Sequence, residues 1–346
     1  MLKVGIVGTG FMGWIHYLAY RKVPGVKIAA ICDKIPHRLA GDWTDIKGNF
    51  GPQGEKIDVS EIRTFTDLEE MAAWPELDLI DICLPPFLHA DAAVAGLRGG
   101  KHVFCEKPMS LTTGECDRMV EASRAAGRQL FIGHVLPFFP EFAYARQVIA
   151  SGEYGRLLGG NFKRVISDPM WLKDFYDPKR VGGPMLDLHV HDAHFIRLLF
   201  GMPAGVTTQG RIRGEVVDYF DTLFHYDDPS IVVRATSGVI NQQGREFTHG
   251  FEIHLERATL HFEFAGFKDG PEVMPLKVLA ADGQVIRPQL GDGDPVRGFE
   301  GEIAEVVRCV QNGQPSAILS GDLARDAVVM CHRQTESARE RHTVKI

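Results

Sequence analysis

Six residues near the amino terminus constrain this chain more than any others: Gly8-Thr9-Gly10-Phe11-Met12-Gly13, a G-x-G-x-x-G turn. The turn follows a short apolar run, Lys3 to Val7, and precedes a helical pattern with Ile15, Leu18 and Ala19 on one face. A glycine triplet carries weight only in that strand–helix setting. There Gly8 permits the tight turn, Gly10 lets a pyrophosphate approach the backbone, and Gly13 lets helix pack on strand. The helix terminus then presents unpaired N–H groups and a favourable dipole to the phosphates. A second strand, Lys27 to Cys32, ends at Asp33, 20 residues after Gly13. A carboxylate there accepts hydrogen bonds from the adenosine ribose and repels a 2′-phosphate, so NAD is expected over NADP. Lys34 and Arg38 lie nearby and weaken that preference.

Strand and helix patterns keep alternating. Thr66-Asp67 caps a helix running to Ala73, and Asp78 to Leu84 reads as a buried strand ending at Pro85-Pro86. His89 opens a helix that stops at Gly99-Gly100, and Thr112-Thr113-Gly114-Glu115 reads as a capping box for a helix ending near Gly127. Gln129 to Gly133 is a further strand, and Gly41 to Ile62 an excursion with a short helix and loop. The pattern predicts an α/β fold: an amino-terminal Rossmann doubly wound parallel sheet over residues 1–133. Residues 134–346 follow as an α+β domain for substrate binding and oligomerisation. Its short alternating runs between Arg211 and Phe264 predict a large, mostly antiparallel sheet, and helices near Phe299–Gln311 and Asp322–Arg339 complete it.

A length of 346 residues accommodates two such domains. The net charge of −7 gives no basic excess for nucleic acid, and no segment is long and apolar enough to span a bilayer. Six scattered cysteines form no C-x-x-C pair, which fits reduced thiols in a cytoplasmic protein.

Two constellations carry chemistry. Glu106-Lys107-Pro108 closes the run His102-Val103-Phe104-Cys105, which places a lysine at the carboxyl edge of the parallel sheet, where such sheets hold ligands. An ammonium there orients a substrate hydroxyl or, with its pKa lowered by burial, shuttles a proton. Farther on, Pro184 fits the first turn of a helix and Gly201 its stop. Within it Asp187, His191 and His194 fall at i, i+4 and i+7, on one helical face, while His189 points elsewhere. A carboxylate beside an imidazole fixes its tautomer and favours its protonated form. Histidine and aspartate at this spacing can also share a metal ion.

The glycine turn, Leu84-Pro85-Pro86-Phe87-Leu88-His89, Cys105-Glu106-Lys107-Pro108 and Gly182-Gly183-Pro184-Met185-Leu186-Asp187-Leu188-His189-Val190-His191 together resemble the Gfo/Idh/MocA family of sugar and polyol dehydrogenases. The resemblance covers nearly the whole chain. It implies a catalytic trio of Lys107, Asp187 and His191 that oxidises a secondary hydroxyl of a sugar, cyclitol or sugar derivative, with NAD and without a metal. Expected cofactor contacts are Gly8, Thr9, Gly10, Phe11, Met12, Gly13, Asp33, Leu84, Pro85, His89, Glu106 and Lys107. Expected substrate contacts are Lys107, His134, Lys163, Trp171, Asp187 and His191. The chain departs from the family pattern at His189, where glycine is common, at His194, where a second acid is common, at Leu84 in place of threonine, and at Pro137 in place of arginine. The resemblance also implies a homodimer or homotetramer. Two other activities known in the family stand as alternatives: a glycosidase with tightly held NAD, and a dinucleotide-binding regulator without catalysis.

Overall fold

The computed structural model describes residues 1–291 and 293–346. They form two compact units, residues 1–139 with 294–325, and residues 140–293 with 326–346.

In the first unit, β1 (Leu2–Val7), α1 (Phe11–Tyr20), β2 (Val26–Cys32), α2 (Pro36–Leu39), β3 (Arg63–Phe65), α3 (Leu68–Ala73), β4 (Leu79–Ile82), α4 (His89–Arg98), β5 (His102–Glu106), α5 (Thr113–Ala126) and β6 (Leu130–Gly133) alternate as expected. The six strands are parallel, in the order β3-β2-β1-β4-β5-β6. That order reverses between β1 and β4, which opens the crevice where such sheets bind dinucleotides. The helix signals act as their chemistry demands. Asp67 accepts from the Glu70 N–H at 3.0 Å, Thr112 accepts from the Glu115 N–H at 3.3 Å, and Gly127 leaves α5 with a left-handed φ of 60°. Glu115 does not complete a reciprocal box. Its carboxylate receives the hydroxyls of Ser110 (2.5 Å) and Thr112 (3.0 Å) instead.

Two expectations need correction here. Residues 41–62 contain no helix. Gly41, Gly48, Gly51, Pro52 and Gly54 break the run, and the loop is tied down by two indoles: Trp43 donates to the Arg38 carbonyl and Trp14 to that of Pro52, both at 2.8 Å. The second concerns residues 294–325, assigned above to the second domain. Their helix, which becomes α8 (Val296–Asn312) in chain order, carries Phe299, Ile303, Val306 and Val307, and these pack with Trp14, Ile15, Tyr20 and Phe131 in the core of the first unit.

In the second unit, α6 (Pro140–Ser151) leads into β7 (Leu157–Ser167). A π-helical turn, Met185–His189, then runs into α7 (Val190–Phe200). β8 (Gly205–Arg213), β9 (Val216–His225), β10 (Val232–Ile240), β11 (Arg245–Leu255), β12 (Ala258–Phe267), β13 (Gly270–Ala280) and β14 (Val285–Ile286) follow. Beyond α8 come α9 (Gly321–Glu340), whose residues from Asp326 onward belong to this unit, and β15 (Val344–Lys345). The nine-stranded sheet runs β14-β13-β12-β11-β7-β10-β9-β8-β15. Its pairs are antiparallel except β7 with β10, which is parallel. Phe142 of α6 packs edge-on against Phe195 of α7 (5.2 Å) and Phe251 of β11 (5.0 Å), so both helices cover one face of the sheet. The other face leaves Leu223, Val232 and Leu279 exposed.

Candidate active site

The glycine turn separates its three glycines by role. A Cβ on Gly8 would lie 2.7 Å from the Cys83 carbonyl oxygen, with φ at +88°, and one on Gly13 would lie 2.2 Å from the Gly8 carbonyl oxygen. Both are glycine because protein atoms press on them. A Cβ on Gly10 would meet nothing within 4 Å, so the bareness of that residue serves space outside the protein. Gly10 is also the N-cap of α1, and no side chain caps the helix, which leaves its first N–H groups for a ligand. Phe11 and Met12 turn their side chains toward the apolar core, Phe11 edge-on to Phe50 at 4.9 Å. They offer a phosphate main-chain N–H alone.

Asp33 is held from two sides. The Thr9 N–H and hydroxyl donate to its Oδ2 (2.7 and 2.6 Å), and the Ile35 N–H donates to Oδ1 (2.9 Å). A carboxylate has about four acceptor sites, so roughly one remains on Oδ1 for a ribose hydroxyl. Arg38 stands beside this group, donating to the Thr9 carbonyl (3.2 Å) and to Asp45 (2.8 Å).

The ends of β1, β4 and β5 share one edge because the strands are parallel. Lys107 therefore emerges on the edge that carries the glycine turn. It is half-buried, and its peptide to Pro108 is cis. Glu106 is buried, and its Oε2 accepts the Lys107 N–H at 2.9 Å. Leu84 is half-buried and Pro85 exposed. His89 is fully buried, with Nδ1 2.8 Å from the Pro108 carbonyl oxygen and Nε2 2.7 Å from that of Leu84. Burial lowers its pKa, and a neutral ring donates to only one of these carbonyls at a time. His89 thus ties together the two loops that carry Leu84 and Lys107. His134, at the end of β6, is fully buried.

In the second unit the histidine segment differs from the expected regular α-helix. Its first turn is π-helical, entered through Gly182 and Gly183, both with positive φ. A Cβ on Gly183 would press on Val216 at 3.0 Å, so packing against β9 shapes the entry. Wide turns of this kind recur at functional sites. Asp187 and His191 are half-exposed, whereas His189 and His194 are fully buried. Burial pushes the His189 pKa down to about 4, and its ring sits edge-on to Phe220 at 5.1 Å. His194 therefore does not share the partly exposed face expected for it.

Arg164, the neighbour of Lys163 on β7, faces the interior. It is 3% exposed and makes a bidentate pair with Asp192 (2.7 and 3.1 Å), clamping β7 to the residue after His191. The burial of His249 itself, and then the Arg164 charge, hold the His249 pKa well below the usual value. Lys163 pairs with Glu263 at 2.9 Å, reaching over Gly250, and Trp171 is exposed in an irregular segment. Sequence reasoning had no signal for Asp192 or Glu263 as partners, because nothing local links them to their arginine and lysine.

Comparison with known proteins agrees with this architecture. Residues 2–134 match a family model described as the oxidoreductase family, NAD-binding Rossmann fold, and residues 142–261 match the GFO/IDH/MocA C-terminal domain. The chain is 26% identical to an inositol 2-dehydrogenase of Rhizobium meliloti over 100% of its own length and 99% of that protein. It is 25% identical to a myo-inositol 2-dehydrogenase of Thermotoga maritima, over 100% and 98% of the two chains. A solved levoglucosan dehydrogenase, in complex with NADH and levoglucosan, superposes with a TM-score of 0.80 at 21% identity, covering 100% of this chain and 99% of that one. With both of its family models matched, this chain belongs to the Gfo/Idh/MocA oxidoreductases, and its amino-terminal unit is their NAD-binding Rossmann domain.

Proposed function

We propose that this protein oxidises a secondary hydroxyl of a cyclitol, sugar or sugar derivative to a ketone, with NAD as the acceptor. The observation that carries the reading is the pairing of open space over Gly10 with Lys107 on the same sheet edge. Bound NAD supplies the hydride acceptor. Lys107 donates to the substrate hydroxyl oxygen and stabilises the negative charge that grows on it as the proton leaves. His191 takes that proton, a service worth about 10²–10⁴ in rate. Asp187 orients the substrate or the imidazole. The remaining acceptor site on Asp33 supports NAD over NADP. The inositol and levoglucosan dehydrogenases among its relatives support the substrate class. Six free thiols support a cytoplasmic setting, and the exposed apolar residues of the open sheet face support a homodimer or homotetramer. Among the described residues no helix is long and apolar enough to cross a membrane.

A panel of sugars, cyclitols and sugar phosphates, assayed with NAD and with NADP at the reduced-nicotinamide absorbance, tests the proposal. At least one polyol should be turned over, faster with NAD. Lys107→Ala should lose about 10²-fold or more in kcat and keep NAD binding by fluorescence titration. Full activity in that variant removes the lysine from the mechanism. Release of a free sugar without net NADH points to the glycosidase instead, and NAD binding without turnover of any panel member to a regulator.

A further inference from the structure

Three residues beyond Gly13, α1 buries a histidine that the mechanism above leaves unused. His16 is 0% exposed and lies flat on Phe104, ring centroids 5.3 Å apart at 8°. Its Nδ1 is 2.8 Å from Oδ2 of Asp81, on β4, and its Nε2 is 3.0 Å from Oε1 of Glu106, at the end of β5. A carboxylate on each side gives both nitrogens an acceptor, and an imidazole satisfies two acceptors only when both nitrogens carry protons. Burial alone would lower the pKa of the ring. The charge of Asp81, with the hydrogen bonds of Asp81 and Cys83, overcomes that and raises it well above the usual value.

The remaining acid is accommodated separately. Glu302, on α8, is fully buried, and neither carboxyl oxygen has a hydrogen-bond partner among the described residues. Burial first, then the charges of Glu106 and Asp81, raise its pKa well above the carboxylate range, so it stays protonated. The cluster therefore contains one imidazolium between two carboxylates, with a neutral acid beside them.

This line does not end at Glu106. The second oxygen of that carboxylate accepts the main-chain N–H of Lys107 at 2.9 Å. One hydrogen-bonded sequence thus runs from Asp81 through His16 and Glu106 to the backbone of the lysine. It ties the helix that opens under the glycine turn to the strand end that carries Lys107. We propose that His16 is a positioning residue for hydride transfer, clamping Glu106 from α1 so that the main chain of Lys107 is fixed relative to the glycine turn. The proposal rests on the reading of Lys107 given above.

His16, Asp81 and Cys83 also place an imidazole nitrogen, a carboxylate oxygen and a sulfur within 4.8 Å of one another, a spacing a cation can use. The thiol argues against that use. Burial, and then Asp81, push its pKa up to about 12, whereas a metal takes the thiolate. The direct contact of His16 with Asp81 already satisfies both groups.

The test compares His16→Gln, Glu106→Gln and their double with the unaltered enzyme. The amide introduced by Glu106→Gln keeps an acceptor for the Lys107 N–H while losing the charge that holds the imidazolium. Displacing a reacting group by about 1 Å costs on the order of 10²-fold. Each single variant should therefore lose about tenfold or more in kcat, with KM and NAD affinity changed less than about threefold. The double should be no slower than the slower single, because both act through one line. Wild-type kcat in His16→Gln, or losses that multiply in the double, overturns the proposal. So does a kcat loss matched by an equal loss of NAD affinity, which marks a general structural defect. Should His16→Gln fail to fold, Glu106→Gln and the ring-nitrogen NMR of wild-type His16 decide the matter. Two protonated nitrogens at pH 8 support the clamp, and a neutral ring at pH 7 overturns it. Lys107→Ala run in parallel separates the two readings. If it is inactive while His16→Gln is fully active, only the clamp falls. If it is fully active, the role of the lysine falls as well.

Discussion

At the scale of single residues, the glycine turn separates binding from folding. Gly10 has an ordinary φ of −81° and open space where its Cβ would sit. Gly10→Ala should change stability by less than about 0.5 kcal/mol and weaken NAD binding at least about tenfold, as a methyl fills the room left for the pyrophosphate. Gly13→Ala drives a methyl into the Gly8 carbonyl oxygen and should lower stability by about 2 kcal/mol or more. Thermal melts with and without NAD distinguish the two, and equal behaviour would show that Gly10 serves packing rather than the cofactor. The turn and Asp33 were legible in the sequence because their physics is local: strand, tight turn, helix terminus, then an acid after the next strand. The line through His16 was not legible. Its partners lie 65 and 90 residues away and meet it only once β4 and β5 stand side by side. The same is true of Arg164, whose buried partner Asp192 lies 28 residues away.

At the scale of elements, helix ends follow sequence rules well and helix phase follows them less well. Thr112 caps α5 through the Glu115 N–H, and its hydroxyl meets the Glu115 carboxylate. Thr112→Ala should cost about 1 kcal/mol and leave kcat unchanged, because α5 carries none of the proposed catalytic groups. Denaturant titration with a parallel assay checks both halves, and an unchanged midpoint would remove the cap from the account. Such caps are legible because a Ser, Thr or Asp side chain satisfies an N–H two or three residues on. The π-helical turn at Met185–His189 was not legible. One turn of α and one of π bury nearly the same apolar positions, and the choice is made at two glycines with positive φ, of which Gly183 presses against β9. The loop at 41–62 failed for a related reason. A polar, glycine-containing stretch carries no periodicity to read, and Trp43 is buried through its indole hydrogen bond to the Arg38 carbonyl.

At the scale of the whole molecule, His189 and His16, buried in different units, respond to pH in opposite senses, while His89 of the first unit follows His189. In the second unit, His189 is held neutral with a pKa near 4 against about 6.5 unfolded. Its unfolded form binds a proton first, so stability is full above pH 6.5 and falls as pH drops toward 4, by roughly 3 kcal/mol for that residue. His249, also shifted down, adds to the loss. In the first unit, His16 is shifted up, so its contribution is full below pH 6.5 and disappears as pH rises through the raised value. Glu302 acts with the same sign, because keeping that acid neutral costs more at every step above its ordinary value. Hydrogen exchange across pH 5 to 9 should therefore loosen α7 and β11 on the acid side and β4, β5 and α8 on the alkaline side. Uniform protection at both extremes would contradict this assignment. The parallel sheet and the mostly antiparallel sheet were legible from strand–helix alternation and from alternating runs. Residues 294–325 were not, since an amphipathic helix does not state which apolar surface it will cover.

The late place of that last segment in the chain shapes how the protein is made. The side chains that cover Trp14, Tyr20 and Phe131 leave the ribosome only after the 154 residues from Pro140 to Gly293 have been translated. At about 5–20 residues per second, the nascent nucleotide-binding sheet waits on the order of ten to thirty seconds with part of its apolar surface uncovered. An interval of exposed apolar surface during translation is thus built into the chain order of this protein, and a stop codon placed shortly after Phe139 would release a sheet that still lacks its own cover.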